Sequence, residues 1–256
     1  MKKCARYCLI IMLTAIFFVF FASCKTGGQK SSVIELFGEK YITAEENFLV
    51  DFSSMTGAGD FYASNGYSNS GMFDCVWRSD CAKADGGILS LAVRKAGDGF
   101  EGAEYRSKKK FSFGFYSVSM KAAACSGVIS SFFLYNTPRE WDEIDIEFLG
   151  KDVTKAQFNY YSGGVGGHEY VYDLGFDASK QFHEYAFYWC EQYIEWYVDG
   201  QAVFKATENI PVHASYIMAN VWNGKGDGFV GWAGRLDQSK LPVTAEYKWI
   251  AYKPAK

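Results

Sequence analysis

The segment Trp141-Asp142-Glu143-Ile144-Asp145-Ile146-Glu147-Phe148 places three carboxylates at alternate positions between apolar residues. In a β-strand alternate side chains share a face, so Trp141, Glu143, Asp145 and Glu147 are expected on one surface, with Ile144, Ile146 and Phe148 packed behind. Carboxylates beside an aromatic ring suit sugar chemistry. Cleaving a glycosidic bond takes one carboxylic acid to protonate the leaving oxygen, one carboxylate to attack or to activate water, and a flat apolar surface to hold the sugar. Two plainer readings compete. Acids on the wet face or edge of an antiparallel sheet are ordinary, and carboxylates are the usual ligands of calcium, although loops supply them more readily than a straight strand. Spacing alone does not decide among the three.

Catalysis makes a geometric demand. Residues four apart on a flat strand have Cα atoms roughly 13 Å apart. Retaining glycosidases hold their carboxyl groups about 5 to 5.5 Å apart and inverting ones about 6.5 to 9.5 Å, so the Glu143 and Glu147 side chains must lean together over a concave surface. Asp145 is expected to hydrogen-bond one neighbour and to add negative potential at the other. Crowded like charges separate proton affinities, letting one glutamate stay protonated while its partner is ionised. From these residues alone, which glutamate takes which role stays open.

The elements that must position them read as strands. A 256-residue chain suits one undivided β-rich domain, and 18% aromatic residues favour sheets and carbohydrate platforms over a helical bundle. Lys110 to Phe115 alternates, Gly127 to Tyr135 is an apolar run of strand length, and Asp199-Gly200 within Glu195 to Phe204 marks a tight hairpin. Such spacing favours a sandwich. Glycine-rich stretches, Ser162 to Gly167 and Asn223 to Gly228, are expected as loops bordering a cleft. Helices are scarce; Ala178 to Phe187 fits either a helical turn or a strand entrance. Residues Val33 to Val50 carry mixed signals and no assigned function. A net charge of −3 leaves no footprint for nucleic acid, and the run Lys108-Lys109-Lys110 reads as a solvated turn or strand entrance.

The N-terminus has the form of a targeting segment: Lys2 and Lys3, an apolar run from Leu9 to Phe21, then Ala22 and Ser23 before Cys24. The run is short for a membrane span. Small residues ahead of a cysteine resemble a bacterial lipoprotein cleavage site, which makes residues 1–23 a signal peptide, Cys24 the lipidated residue, and residues 24–46 a tether and extension ahead of a domain at 47–256. Phe21 stands where such sites usually hold leucine, and ordinary secretion is the alternative. Of seven cysteines, Cys75, Cys81, Cys125 and Cys190 then remain in an oxidising compartment. Their pairing, or their being free, is open.

The stretch Trp141 to Gly150, with Gln157-Phe158-Asn159-Tyr160-Tyr161 after it, closely resembles the bacterial licheninases of glycoside hydrolase family 16. Gly66-Tyr67-Ser68-Asn69, Met72-Phe73, Glu104-Tyr105-Arg106-Ser107, His168 to Asp177 and Asn220-Val221-Trp222-Asn223-Gly224 recur in the same order, so the resemblance covers roughly residues 50 to 252. It implies an all-β, concanavalin A-like jelly-roll sandwich of two curved antiparallel sheets with an open cleft on the concave face. It also implies Glu143 as nucleophile, Glu147 as general acid and base, Asp145 as assisting acid, and retention of anomeric configuration. Some relatives acting on 1,3-linked glucans carry an extra residue between the aspartate and the last glutamate, forming a bulge; its absence here points to mixed-linkage glucan.

Carried over by position, Tyr67, Asn69, Phe73, Glu104, Arg106, Trp141, Asn159, Tyr161, Asn220 and Trp222 are expected to bind glucan. Tyr67 and Phe73 have an alternative as core aromatics, and Arg106 with Glu104 as a cleft-wall contact. His168 reads as a structural hydrogen-bonding residue, because the two-carboxylate mechanism needs no histidine. Three departures stand out. The family's disulfide partner of Cys75 falls at Gly102. Lys248 occupies an aspartate's place at a calcium site remote from catalysis, and an ammonium cannot ligate calcium. The loop after Trp222 is one residue shorter, with Phe229 near a position usually held by tryptophan.

The expectation is therefore a monomeric, exported, lipid-anchored endo-glucanase, at the periplasmic face or the cell surface, cutting β-1,4 bonds in mixed-linkage glucan with no cofactor and no metal. A 1,3-glucanase or transglycosylase on the same scaffold is one alternative, and a non-catalytic glucan-binding lipoprotein another.

Overall fold

The computed structural model describes residues 34–36, 39–41 and 48–255. The signal peptide, Cys24 and most of the tether lie outside the described residues. In chain order the strands are β1 (Ile34–Leu36), β2 (Glu39–Tyr41), β3 (Phe48–Asp51), β4 (Phe61–Ala63), β5 (Cys75–Trp77) and β6 (Ala82–Asp85). The long strands follow: β7 (Ile88–Ala96), β8 (Gly99–Phe111), β9 (Gly114–Lys121), β10 (Val128–Tyr135), β11 (Glu143–Leu149) and β12 (Lys155–Tyr161). The last are β13 (Tyr170–Asp173), β14 (His183–Trp189), β15 (Ile194–Val198), β16 (Gln201–Ala206), β17 (Ser215–Asn223) and β18 (Val243–Pro254), and a short α-helix, α1 (Asp227–Ala233), follows β17.

Two antiparallel layers make a sandwich. The front sheet runs β13-β12-β11-β10-β17-β8, with β4 on β8; the back sheet runs β6-β7-β18-β9-β14-β15-β16, with β3 also on β18. Pairing of Arg94 with Glu101 links the layers through β7 and β8, and β5 joins β8 in parallel. The core lies between the sheets because alternate residues of each strand point inward. From the front sheet come Phe132, Ile144, Ile146, Phe148 and Phe158, and from the back sheet Tyr116, Tyr185, Phe187 and Trp196, all essentially inaccessible. Each contributes about 1.5–3 kcal/mol by leaving water.

Two back-sheet side chains cross the core to hold the front sheet. Trp196 donates its indole N–H to the carbonyl of Asp145 at 3.1 Å, and the Tyr247 hydroxyl donates to the carbonyl of Ser131 at 3.0 Å. The acidic strand is thus fixed from behind.

Several expectations need correction. Lys110 to Phe115 is not one strand: β8 ends at Phe111 and β9 begins at Gly114, because the chain passes there from the front sheet to the back. A side chain at Gly114 would meet the Lys253 carbonyl at 2.4 Å, so only glycine allows this approach. Ala178 to Phe187 holds no helix and resolves into the entrance of β14, whereas the glycine-rich segment after Trp222 does contain one, α1. The hairpin expected at Asp199-Gly200 is present between β15 and β16.

Cys75, Cys81, Cys125 and Cys190 are all free. A Cβ at Gly102 would lie 2.8 Å from the Cys75 sulfur, so these two positions do face each other and only the second sulfur is missing. Lys248 lies with its Nζ 4.3 Å from the Phe182 ring centroid, and Lys121 approaches the same ring at 5.4 Å. Two ammonium groups at one aromatic ring do not fit a calcium ion.

Candidate active site

Strand registers array the cleft floor in three cross-sheet rows. The first runs Tyr161, Glu143, Tyr135, Tyr216, Lys110; the second Asn159, Asp145, Phe133, Met218, Arg106; the third Gln157, Glu147, Ser131, Asn220, Glu104. All three acids therefore point away from the core, as the alternation requires. They are not on a wet outer face: Asp145 is 5% exposed, and Glu143 and Glu147 keep only partial access to solvent.

Trp141 reaches the expected face, but not as part of the strand. It precedes β11 with φ at +40°, outside the strand. Such a backbone is unusual for a bulky residue and persists only where surroundings over-determine it. The surroundings are visible. Trp141 N–H donates to Thr137 at 2.7 Å, Gly164 N–H donates to the Trp141 carbonyl at 2.9 Å, and the indole stacks on Tyr161 at 5.1 Å with planes 17° apart. Its Nε1 donates to Glu143 Oε2 at 2.8 Å. Beside it, the buried Asp142 carboxylate accepts from Gly163 N, Val212 N, His213 N and His213 Nδ1 at 2.8–2.9 Å, tying this corner to two other loops. Gly166 lies against the Tyr161 ring, where a Cβ would come within 2.3 Å, which explains a glycine in this loop.

The opposite end of the cleft is a second aromatic group. Phe73 stacks on Trp222 at 3.9 Å, and Phe229 and Trp232 of α1 pack around Trp222. On the wall, Tyr67 is 44% exposed and donates to Ser64 Oγ at 2.9 Å and Glu104 at 3.1 Å, so it is not a core residue. Glu104 is buried and also accepts from Ser64 at 2.5 Å; Arg106 lies over the Tyr216 ring at 4.5 Å. Asn69 accepts from Trp77 at 3.0 Å, Asn220 from Ser131 at 2.6 Å, and Asn159 from Tyr160 N at 2.8 Å. His168 bonds the Tyr160 carbonyl through Nδ1 at 2.9 Å and stacks on that ring, a structural role.

Electrostatics separate the glutamates. Burial lifts Glu143 to about 7, opposed by the Trp141 N–H, which favours the ionised form. Burial lifts Glu147 to about 8; the Glu143 charge adds to this and the Gln157 amide opposes it. Asp145 is pushed well up by burial first, then by Glu143, Glu147 and Glu169. Burial and mutual repulsion thus keep the three carboxyls from ionising together, and the row retains a proton where isolated acids would have lost theirs.

Four contributors went unread in the sequence. Gln157 donates to Glu147 Oε2 at 3.0 Å, and the strand period from Asn159 and Tyr161 would have found it. Ser131 and Tyr135 need the register of β10, and Trp232 reaches Gln157 only through the fold of α1.

A two-sheet sandwich whose recessed face carries a row of buried carboxylates between aromatic platforms defines a glycoside hydrolase. The Glycosyl hydrolases family 16 model matches residues 69–250, and the chain belongs to that family. A Beta-glucanase of Paenibacillus macerans is 51% identical over 193 residues, covering 73% of this chain and 80% of the relative. A Beta-glucanase of Bacillus subtilis is 40% identical over 254 residues, covering 95% and 96%. Among solved structures, a prokaryotic beta-1,3-1,4-glucanase (lichenase) derived from a mouse hindgut metagenome superposes with a TM-score of 0.77 at 45% identity, covering 82% of this chain and 99% of the other.

Proposed function

We propose that the chain is a retaining endo-β-glucanase that hydrolyses β-1,4 bonds in mixed-linkage 1,3-1,4-β-glucan. Glu143 attacks the anomeric carbon as Glu147 protonates the leaving oxygen; Glu147 then deprotonates water, which releases the glycosyl enzyme. Asp145, buried between them and pushed well up, holds its own proton and assists from the middle of the row. The observation that carries this assignment is the row itself: Glu143 and Glu147 point from one strand to the same recessed face, each with one N–H donor, Trp141 at 2.8 Å on the first and Gln157 at 3.0 Å on the second. No cofactor takes part in these steps. The names of the relatives support the substrate class, and so does the unbroken register Asp145–Asn159, Ile146–Phe158, Glu147–Gln157, which leaves no room for a bulge between the acids.

Incubating purified protein with lichenan, laminarin and carboxymethyl cellulose and sizing the products tests the reading. Rapid appearance of short oligosaccharides from lichenan alone is expected, the first product having the β-anomeric configuration. Laminarin hydrolysis at the lichenan rate, or accumulation of longer chains, would replace the reading with a 1,3-glucanase or a transglycosylase. Binding without new reducing ends would make the protein a glucan-binding lipoprotein.

We infer also that residues 1–23 are removed and Cys24 is acylated, anchoring a monomer to a membrane. Incorporation of labelled fatty acid in the parent and not in Cys24→Ala checks the anchor, and light scattering of the released domain checks the monomer.

A further inference from the structure

The helix α1 sends one polar atom into the catalytic row. Trp232 packs beside Trp222 and edge-on to Phe229, and its Nε1 donates to Gln157 Oε1 at 3.0 Å across 75 residues of sequence. Gln157 is 6% exposed, and its Nε2 donates to Glu147 Oε2 at 3.0 Å. An indole nitrogen can only donate, whereas a glutamine amide offers a donor end and an acceptor end that exchange by a half-turn. Engaging Oε1 with a donor-only group therefore decides which end of the amide meets the carboxyl group.

We propose that Trp232 is a positioning residue for the reaction: it locks the Gln157 amide with its NH₂ group, and not its carbonyl, against Glu147. The proposal rests on the reading of Glu147 as general acid and base. A carbonyl turned toward Glu147 would oppose its carboxylate and accept from its protonated form, so the lock sets how readily the proton leaves and returns. The other groups bearing on Glu147 are Glu143 and Asp145 on its own strand and Glu169 ahead of β13. Its cross-strand neighbours, Ser131 and Gln157, are neutral. None of these changes when the indole N–H is removed.

The test is the pH dependence of kcat/KM on lichenan for the parent, Trp232→Phe, Gln157→Leu and the double variant, with thermal melts to verify folding. The alkaline limb, which follows loss of the Glu147 proton, is expected to move up by about half a pH unit in Trp232→Phe, roughly a threefold gain in proton affinity. The acid limb set by Glu143 stays in place. In the Gln157→Leu background the tryptophan change should move the alkaline limb no further. An unmoved limb in Trp232→Phe, or an equal shift without Gln157, overturns the proposal. NMR of the unmutated protein gives a second readout: the Trp232 indole and Gln157 amide resonances are expected to titrate with one shared midpoint, and an indole signal indifferent to that midpoint refutes the coupling. Failure of the underlying reading looks different, because Glu147→Gln would then hydrolyse lichenan with its alkaline limb intact.

Discussion

Replacing Glu147 by glutamine should make the folded protein more stable as pH rises, while abolishing its activity. The side chain ionises near 4.5 in an unfolded chain and at about 8 in the cleft, where burial is the largest cause of the rise. Folding therefore takes up a proton between those values. Stability from this group is complete below about 4.5 and drains away as pH climbs toward about 8. Each pH unit within that interval costs up to about 1.4 kcal/mol, which sets a ceiling near 3 kcal/mol at pH 7. Partial access to the cleft, and sharing of the proton within the row, bring the expected figure to about 1–2 kcal/mol. Glutamine keeps an oxygen for the Gln157 amide and has no charge to bury. Urea unfolding of parent and variant at pH 5, 6, 7 and 8 measures the effect. The gap should widen in the variant's favour by about 1–2 kcal/mol across the series. Parallel curves, or a gap that narrows with pH, would refute the claim that Glu147 is held protonated by its surroundings.

Glu143→Gln should lower kcat by at least about a thousandfold and leave lichenan binding by calorimetry close to the parent's, because the nucleophile is lost and the platforms remain. Asp142→Ala should cost about 3 kcal/mol or more in urea unfolding, since four donors at 2.8–2.9 Å lose their shared acceptor. Gly102→Cys, oxidised, should remove the Cys75 thiol from a thiol count and raise the melting temperature. The expected gain is below the usual 2–4 kcal/mol of a disulfide, because the new Cβ also comes within 2.8 Å of the Val221 carbonyl.

Strand alternation made the acid row legible, because a period of two is enough to put Glu143, Asp145 and Glu147 on one face and their isoleucines in the core. The same rule did not show that Trp141 lies outside the strand, where its left-handed backbone depends on a hydrogen bond given to Thr137 and one accepted from Gly164 that no local pattern announces. The family motifs carried the ten expected glucan-binding residues to two ends, a wall and the floor. They did not carry Trp232, because its partner lies in a distant strand and its helix is hidden in glycine-rich composition. The turn at Ser112-Phe113 was obscured for a related reason: its residues alternate like a strand, and only the crossing between layers breaks them.

The hydrogen bonds that Trp196 and Tyr247 send through the core divide the labour of the molecule between its two layers. The chemistry stands on a bed bolted down from the far side, while both rims of the trench are made by connecting segments. Exchanging the segments 137–142, 162–168 and 223–234 would therefore retune which polysaccharide settles in the trench, with the acid-base couple kept in place so long as the exchange preserves Trp141 and Trp232. Loosening either bolt would do the reverse, slowing turnover on every glucan from a position no sugar touches.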